Sequence, residues 1–139
     1  MSKDGPIIIY EDDKDENEIM EEAFKRISVA NERIFFDDGE KMLHYLRTTS
    51  DLPFLIISDI NVPRINGLEI RRMIQEDEYL KKKCIPFIFL STSAGGKAIE
   101  TAYDLTVQGY FVKQSRMTEI ESNLKLIIDY WKECKHPNC

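Results

Sequence analysis

Several protein classes are excluded by what this chain has little of. No proline-, glycine- or serine-rich tract interrupts its 139 residues and no fixed-length repeat recurs, so nothing marks a linker or a solenoid. The expectation is one domain over residues 1–139, with a core over about 5–134 and a tail at 135–139. Cysteine is scarce: Cys84, Cys134 and Cys139 are odd in number and scattered, which argues against a disulfide framework. Long apolar runs are missing as well. The run Ile7-Ile8-Ile9-Tyr10 is only four residues, too short for a signal-peptide core or a membrane span, so a cytoplasmic protein is expected. Positive charge is in deficit, with 19 Lys and Arg against 25 Asp and Glu, a formal net charge of −6. Nucleic acid and anionic membrane, both polyanions, would be repelled.

What is present is an alternation. Short apolar runs at Ile7 to Tyr10, Ile34 to Phe36, Phe54 to Ile57, Ile85 to Leu90 and Tyr110 to Val112 read as strands. Between them lie helical periods. Ile19, Met20, Ala23, Phe24 and Ile27 share one face, as do Ile70, Met73 and Ile74, and then Ala98, Ile99, Ala102 and Tyr103. Met42, Leu43 and Leu46 mark a shorter helix after the turn at Asp37, Asp38 and Gly39. The last helix is the plainest, with Ile120, Leu124, Ile127, Ile128, Trp131 and Cys134 stepping by three and four. Two capping boxes are spaced correctly, Asn66 with Glu69 and Thr118 with Glu121. Five strands alternating with five helices imply an α/β, doubly wound architecture: a parallel sheet with right-handed crossovers and helices on both faces.

In open sheets of this kind the functional crevice lies beyond the carboxyl ends of the strands. The residues there share one chemistry: Glu11, Asp12 and Asp13 after the first run, Ser58 and Asp59 after the third, Ser91, Thr92 and Ser93 after the fourth, and Lys113 after the fifth. Clustered carboxylates repel unless a cation neutralises them. A hard divalent ion such as Mg2+ suits Glu11, Asp12 and Asp59 better than a Cys or His site would. Phosphoryl transfer asks for a nucleophile, a metal and further donors on the transferred oxygens, roles that Asp59, Mg2+, Lys113 and Ser91 can fill.

These residues resemble the receiver domain of two-component response regulators, of the stand-alone type. The resemblance rests on Glu11-Asp12-Asp13 after an apolar run, on Asp59 followed by Pro63 and Gly67, on Ser91, and on Gly109-Tyr110-Phe111-Val112-Lys113, and it covers nearly the whole chain. It implies a three-layer (βα)5, flavodoxin-like fold with strand order 2-1-3-4-5. Asp59 is then the phosphoacceptor, charged by the phosphohistidine of a sensor kinase or a phosphotransfer protein. Mg2+ is held by Glu11, Asp12, Asp59 and the backbone carbonyl of Asn61. Lys113 pairs with the carboxylate and then with the phosphoryl oxygens. Ser91 donates its hydroxyl to the phosphoryl group and Tyr110 changes rotamer. The readout surface is the fourth helix, fifth strand and fifth helix of the five-by-five pattern. The chain ends after that last helix, so its output is expected to be contact with a downstream protein, with phosphorylation-dependent homodimerisation allowed and no nucleic acid or membrane bound. Asn61 and Ser93 match positions expected to tune the lifetime of the phosphorylated state.

Departures and rival readings remain open at this point. The family usually has proline after the lysine, where this chain has Gln114, so the Lys113–Gln114 peptide could be cis or trans. The acidic pair could be Glu11 with Asp12 or Asp12 with Asp13, the remaining acid belonging to the start of a helix. Gly95 and Gly96 either loosen the loop after the fourth strand or merely end it. The tail brings Cys134, His136 and Cys139 together, which invites zinc completed by His44 or Cys84, although a frayed C-terminus accounts for it better. His44 is expected to face solvent and Trp131 to join the core. Two other functions compete: an adaptor that no longer takes phosphate, and an aspartate-nucleophile phosphatase. The latter is disfavoured because the position two after Asp59 is Asn61 where such enzymes carry a second aspartate. A signalling switch that catalyses only its own phosphorylation and dephosphorylation is the reading the residues favour.

Overall fold

The computed structural model describes residues 2–137. Its strands are β1 (Ile7–Tyr10), β2 (Arg33–Phe36), β3 (Leu55–Ser58), β4 (Phe87–Ser91) and β5 (Gly109–Val112). Its α-helices are α1 (Lys14–Arg26), α2 (Gly39–Thr48), α3 (Gly67–Glu76), α4 (Glu78–Lys82), α5 (Gly96–Asp104) and α6 (Met117–Glu133), and a 3-10 turn at Ser2–Asp4 precedes them. All strands are parallel, in the order β2-β1-β3-β4-β5. This is the doubly wound order expected from the sequence.

Composition explains the order. The strands with uninterrupted apolar sequence, IIIY, LIIS and FIFLS, are buried along their whole length and take the three central places. RIFF and GYFV are only half-buried and take the edges. Alternating side chains then split the core into two layers. Ile8, Tyr10, Ile56, Phe87 and Phe89 pack with Met42, Leu46, Ile70 and Ile74 on one face, while Ile7, Ile9, Leu55, Ile57 and Leu90 pack with Phe24, Leu124 and Ile128 on the other. Helices α1 and α6 thus cover one face, and α2 to α5 the other.

Several expectations need correction. The third strand runs one residue later than Phe54 to Ile57, and the fourth starts at Phe87, because Pro86 at its threshold has no N–H to offer a ladder. Both shifts draw Ser58 and Ser91 into strands. Among the described residues there are six α-helices, not five: Asp77 closes α3 and its side chain accepts from the Leu80 N–H at 3.1 Å, which starts the extra turn of α4. The fourth helix, fifth strand and fifth helix of the five-by-five pattern, expected to form the readout surface, correspond to α5, β5 and α6. Asn66 and Glu69 form their capping box, but Thr118 and Glu121 do not, since α6 begins at Met117 behind Arg116, which makes no side-chain cap. Ile19, Met73 and Tyr103 stand exposed. The end of the chain is docked, not frayed, as far as Pro137. His136 is buried and donates its Nε2–H to the Phe54 carbonyl at 2.6 Å, its ring against Phe54 and Trp131. Trp131 is partly buried on the second core layer, and His44 faces solvent. No cis peptide occurs among the described residues, so Lys113–Gln114 is trans.

Candidate functional site

Ladder hydrogen bonds run one residue past the strand ends and so fix the backbone of the crevice. The Glu11 N–H donates to Phe36 O at 3.0 Å, the Asp59 N–H to Tyr10 O at 3.0 Å, and the Lys113 N–H to Ser91 O at 2.8 Å. Glu11, Asp59 and Lys113 thereby stand along one edge of the sheet. From below, the Tyr10 hydroxyl donates to Ile65 O at 2.6 Å and anchors the loop between β3 and α3. The Gly67 N–H donates to Ile60 O at 2.8 Å, drawing α3 against the Asp59 backbone. No side chain fits there, because a Cβ on Gly67 would lie 2.0 Å from the Asp59 carbonyl oxygen. The spacing from Asp59 to Gly67 is thus a packing requirement.

Asp59 is 8% exposed. Its Oδ1 accepts from the Ile60 N–H at 2.7 Å and its Oδ2 lies 3.3 Å from Lys113 Nζ. Lys113 Nζ also donates to Glu11 Oε1 at 2.6 Å and makes a very short contact with Glu16 Oε2. Burial alone would lower the Lys113 pKa. The hydrogen bonds to Glu11 and Glu16 and the charge of Asp59 outweigh it and hold the ammonium above its ordinary value. Glu11 is only 3% exposed, and burial, with the Glu16 carboxyl beside it, pushes its pKa up to about 8 against the opposing pull of Lys113.

The row of three acids divides its labour. Asp13 is the N-cap of α1, accepting from the Asp15 N–H at 2.9 Å and the Glu16 N–H at 3.1 Å. Glu11 turns inward and accepts from the Asp13 N–H at 3.1 Å through Oε2. Asp12 stands exposed between them. Among the described residues one set of acidic groups could hold an ion, with ligand oxygens of Glu11, Glu16 and Asp59 all within 4.8 Å of one another. Glu16 did not stand out in the sequence. Its distance from Asp13 is that of a capping box, but its carboxylate serves Lys113. No Cys or His site occurs among the described residues, and Cys139 lies outside them.

Ser91 is fully buried, and its Oγ accepts from the Ser93 N–H at 3.2 Å. Tyr110 lies half-buried against Phe89 and donates its hydroxyl to Ser93 O at 2.5 Å. Burial raises its pKa. The β4–α5 loop is therefore tied to Ser91 and Tyr110 together. Asn61 is exposed, with Nδ2 at 3.5 Å from Ser93 Oγ, a long contact across the mouth. Gly95 is the N-cap of α5 and Gly96 its first residue, both with open space around them.

The family model for the response regulator receiver domain matches residues 7–125. The chain belongs to that family. It is 27% identical over 132 residues to the response regulator Rcp1 of Synechocystis, covering 91% of this chain and 88% of that one. It is 26% identical over 129 residues to the probable methanogenesis regulatory protein FilR2 of Methanothrix harundinacea, covering 90% and 82%. Among solved structures, the phosphorylated cyanobacterial phytochrome response regulator RcpA superposes with a TM-score of 0.84 at 30% identity, covering 95% of this receiver and 97% of that chain. No helix among the described residues of the receiver is long and apolar enough to cross a membrane.

Proposed function

We propose that this receiver is a phosphorylation-driven switch with Asp59 as its phosphoacceptor. The observation that carries the reading is the buried Asp59 carboxylate, 3.3 Å from the ammonium of Lys113 within a cluster of carboxylates at the carboxyl edge of the sheet. An Asp59 oxygen attacks the phosphorus of a phosphohistidine on a sensor kinase or phosphotransfer protein. The P–N bond breaks, its electron pair returns to the imidazole, and an acyl phosphate forms on Asp59. Lys113 would supply positive charge to a transferred oxygen, and release of Glu16 would leave the ammonium with only Glu11 and Asp59 to serve. The donor set brought together is all oxygen, from Glu11, Glu16 and Asp59, and it fits Mg2+, with Asp12 and the Asn61 carbonyl as the further ligands that the family resemblance implies; Mg2+ when bound would neutralise these carboxylates and the phosphoryl oxygens.

Ser91 and Tyr110 are the groups that would carry the change outward. The Ser91 hydroxyl can leave the Ser93 N–H for a phosphoryl oxygen, and the loop held to it by Tyr110 would follow. A contact made in one state alone shifts an existing equilibrium by its own differential free energy. Tyr110 lies on β5, beside α5 and α6, so the surface those elements form is the proposed docking face for a downstream protein in the cytoplasm or for a second copy of the chain.

The test is incubation with acetyl phosphate and Mg2+ followed by intact-mass measurement of wild type and Asp59→Asn. A Mg2+-dependent gain of one phosphoryl group, absent from the variant, is expected. No gain under any condition would leave the receiver as a phosphate-independent adaptor, and repeated turnover of a phosphate ester would make it a phosphatase.

A further inference from the structure

A cavity of about 490 Å3 opens beneath the amino ends of β4 and β5, at the end of the sheet away from Asp59. Among the described residues three cations line it, Arg71, Lys81 and Lys135, and no carboxylate does, in a protein of formal net charge −6. None of the three forms an ion pair among the described residues, whereas most of the other arginines do. The rest of the wall is largely apolar, with Leu46, Ile74, Leu80 and Trp131. The volume falls in the range of small-molecule sites, roughly 300–1,000 Å3.

Arg71 is the informative residue. It is only 5% exposed, its guanidinium rests 5.2 Å from the centre of the Phe87 ring, Nε donates to Leu105 O at 2.9 Å and Nη2 donates to Thr106 O at 3.0 Å. Those carbonyls close the C-terminus of α5 and supply about half a negative charge. The guanidinium carries a whole one, and burial pulls its pKa down to about 10, which still leaves it charged at neutral pH. Its Nη1 donates to nothing among the described residues. A clamp on α5 explains two of its nitrogens. The third is not buried and stays open to a partner, on the same wall as two further lysines.

We infer that this cavity binds a small organic anion, a carboxylate or phosphate monoester held by Arg71 and the two lysines with its apolar body against Trp131 and Ile74. Trp131 is the only tryptophan, so its fluorescence reports occupancy directly. Hexanoate and hexyl phosphate, titrated against hexylammonium and inorganic phosphate, separate charge sign from apolar body. At least one alkyl anion is expected to give a saturable change, with hexylammonium giving none and inorganic phosphate binding at least about tenfold more weakly. Lys81→Gln with Lys135→Gln, both at the surface and harmless to folding, should weaken the alkyl anion at least about tenfold. Arg71→Lys, checked for folding by circular dichroism, should weaken it likewise. The inference is overturned by equal binding of hexylammonium, by inorganic phosphate binding as tightly as hexyl phosphate, by an unchanged affinity in the lysine double variant, or by no saturable signal at millimolar ligand.

Discussion

Replacing Gly67 by alanine adds one methyl group at the point where α3 meets the Asp59 backbone. That carbon would sit 2.0 Å from the Asp59 carbonyl oxygen and 2.9 Å from both the Asp59 carbonyl carbon and Ile60 Cα. Non-bonded heavy atoms settle near 3.5 Å, so relief takes a movement of roughly 1.5 Å. No flexible side-chain end is available to give way, because all three obstructing atoms are backbone. Overpacking of this kind costs about 1–3 kcal/mol, and the intrinsic helix preference of alanine returns at most about 1 kcal/mol at the first helical position. The net loss should lower Tm by several degrees, on the order of 3–4 °C per kcal/mol for a chain of this size. A displacement of about 1 Å at a reacting group can also cost on the order of 10²-fold in rate, so phosphorylation by acetyl phosphate should slow by about that factor. Gly96→Ala is the control, since a Cβ there meets nothing within 4 Å. Differential scanning calorimetry and timed intact-mass measurements supply both numbers. A Gly67→Ala protein with the Tm of Gly96→Ala and an unchanged phosphorylation rate would refute the reasoning.

Other perturbations follow from the same geometry. Lys113→Ala removes the ammonium shared by Glu11, Glu16 and Asp59, and the phosphorylated protein should lose its ability to repack the β4–α5 loop, read by tyrosine resonances of Tyr110 before and after acetyl phosphate. Glu16→Gln frees Lys113 from one carboxylate and should change the initial rate of phosphorylation severalfold while leaving the unfolding free energy within about 1 kcal/mol of wild type; an unchanged rate would reduce Glu16 to a solvated helix residue. Glu21 pairs with Arg33 through two short hydrogen bonds of 2.9 and 2.6 Å that lower its pKa. A depressed folded pKa stabilises above the unfolded value and is lost below it, so the deficit of Glu21→Gln in urea unfolding, up to about 1 kcal/mol at pH 7, should shrink as pH falls through 4. His136→Ala strands the buried Phe54 carbonyl and should cost about 1–3 kcal/mol, a loss that a frayed tail would not show.

The sequence discloses those parts of the fold where one residue type serves one purpose. The central strands announce themselves because burial on both faces demands Ile, Leu and Phe without interruption. Helix α4 is silent because a single buried residue, Leu80, gives it no period, and its start depends on Asp77 doing duty for two helices. On α3 the apolar period points to Met73, which is 38% exposed, while the fully charged Arg71 is buried. Hydropathy cannot anticipate that exchange, since the guanidinium is accommodated by an aromatic ring and by carbonyls contributed from the end of α5. His136 is hidden for the same reason: its partner, Phe54, is distant in sequence.

At the site, the departure most visible in the sequence is also where the structure adds something. Gln114 replaces the family's proline after Lys113, and the peptide between them is trans. Gln114 is exposed, and its side chain reaches only back to Val112 O at 3.2 Å, so it does nothing to aim the lysine. The aim comes from the other end of the side chain. Nζ is shared among Glu11, Glu16 and Asp59, two of them nearly buried and one supplied by the first turn of α1. One ammonium cannot neutralise three carboxylates, and Glu11, buried and with the Glu16 carboxyl beside it, holds its proton more tightly despite Lys113. Lys113 is consequently over-subscribed before any phosphoryl group arrives, and Asp59, at 3.3 Å, has the longest of its three contacts. Placement of the lysine over Asp59 thus depends on competition among carboxylates more than on the loop that follows it, which makes Glu16, and not Gln114, the residue through which this receiver would set how fast Asp59 is charged.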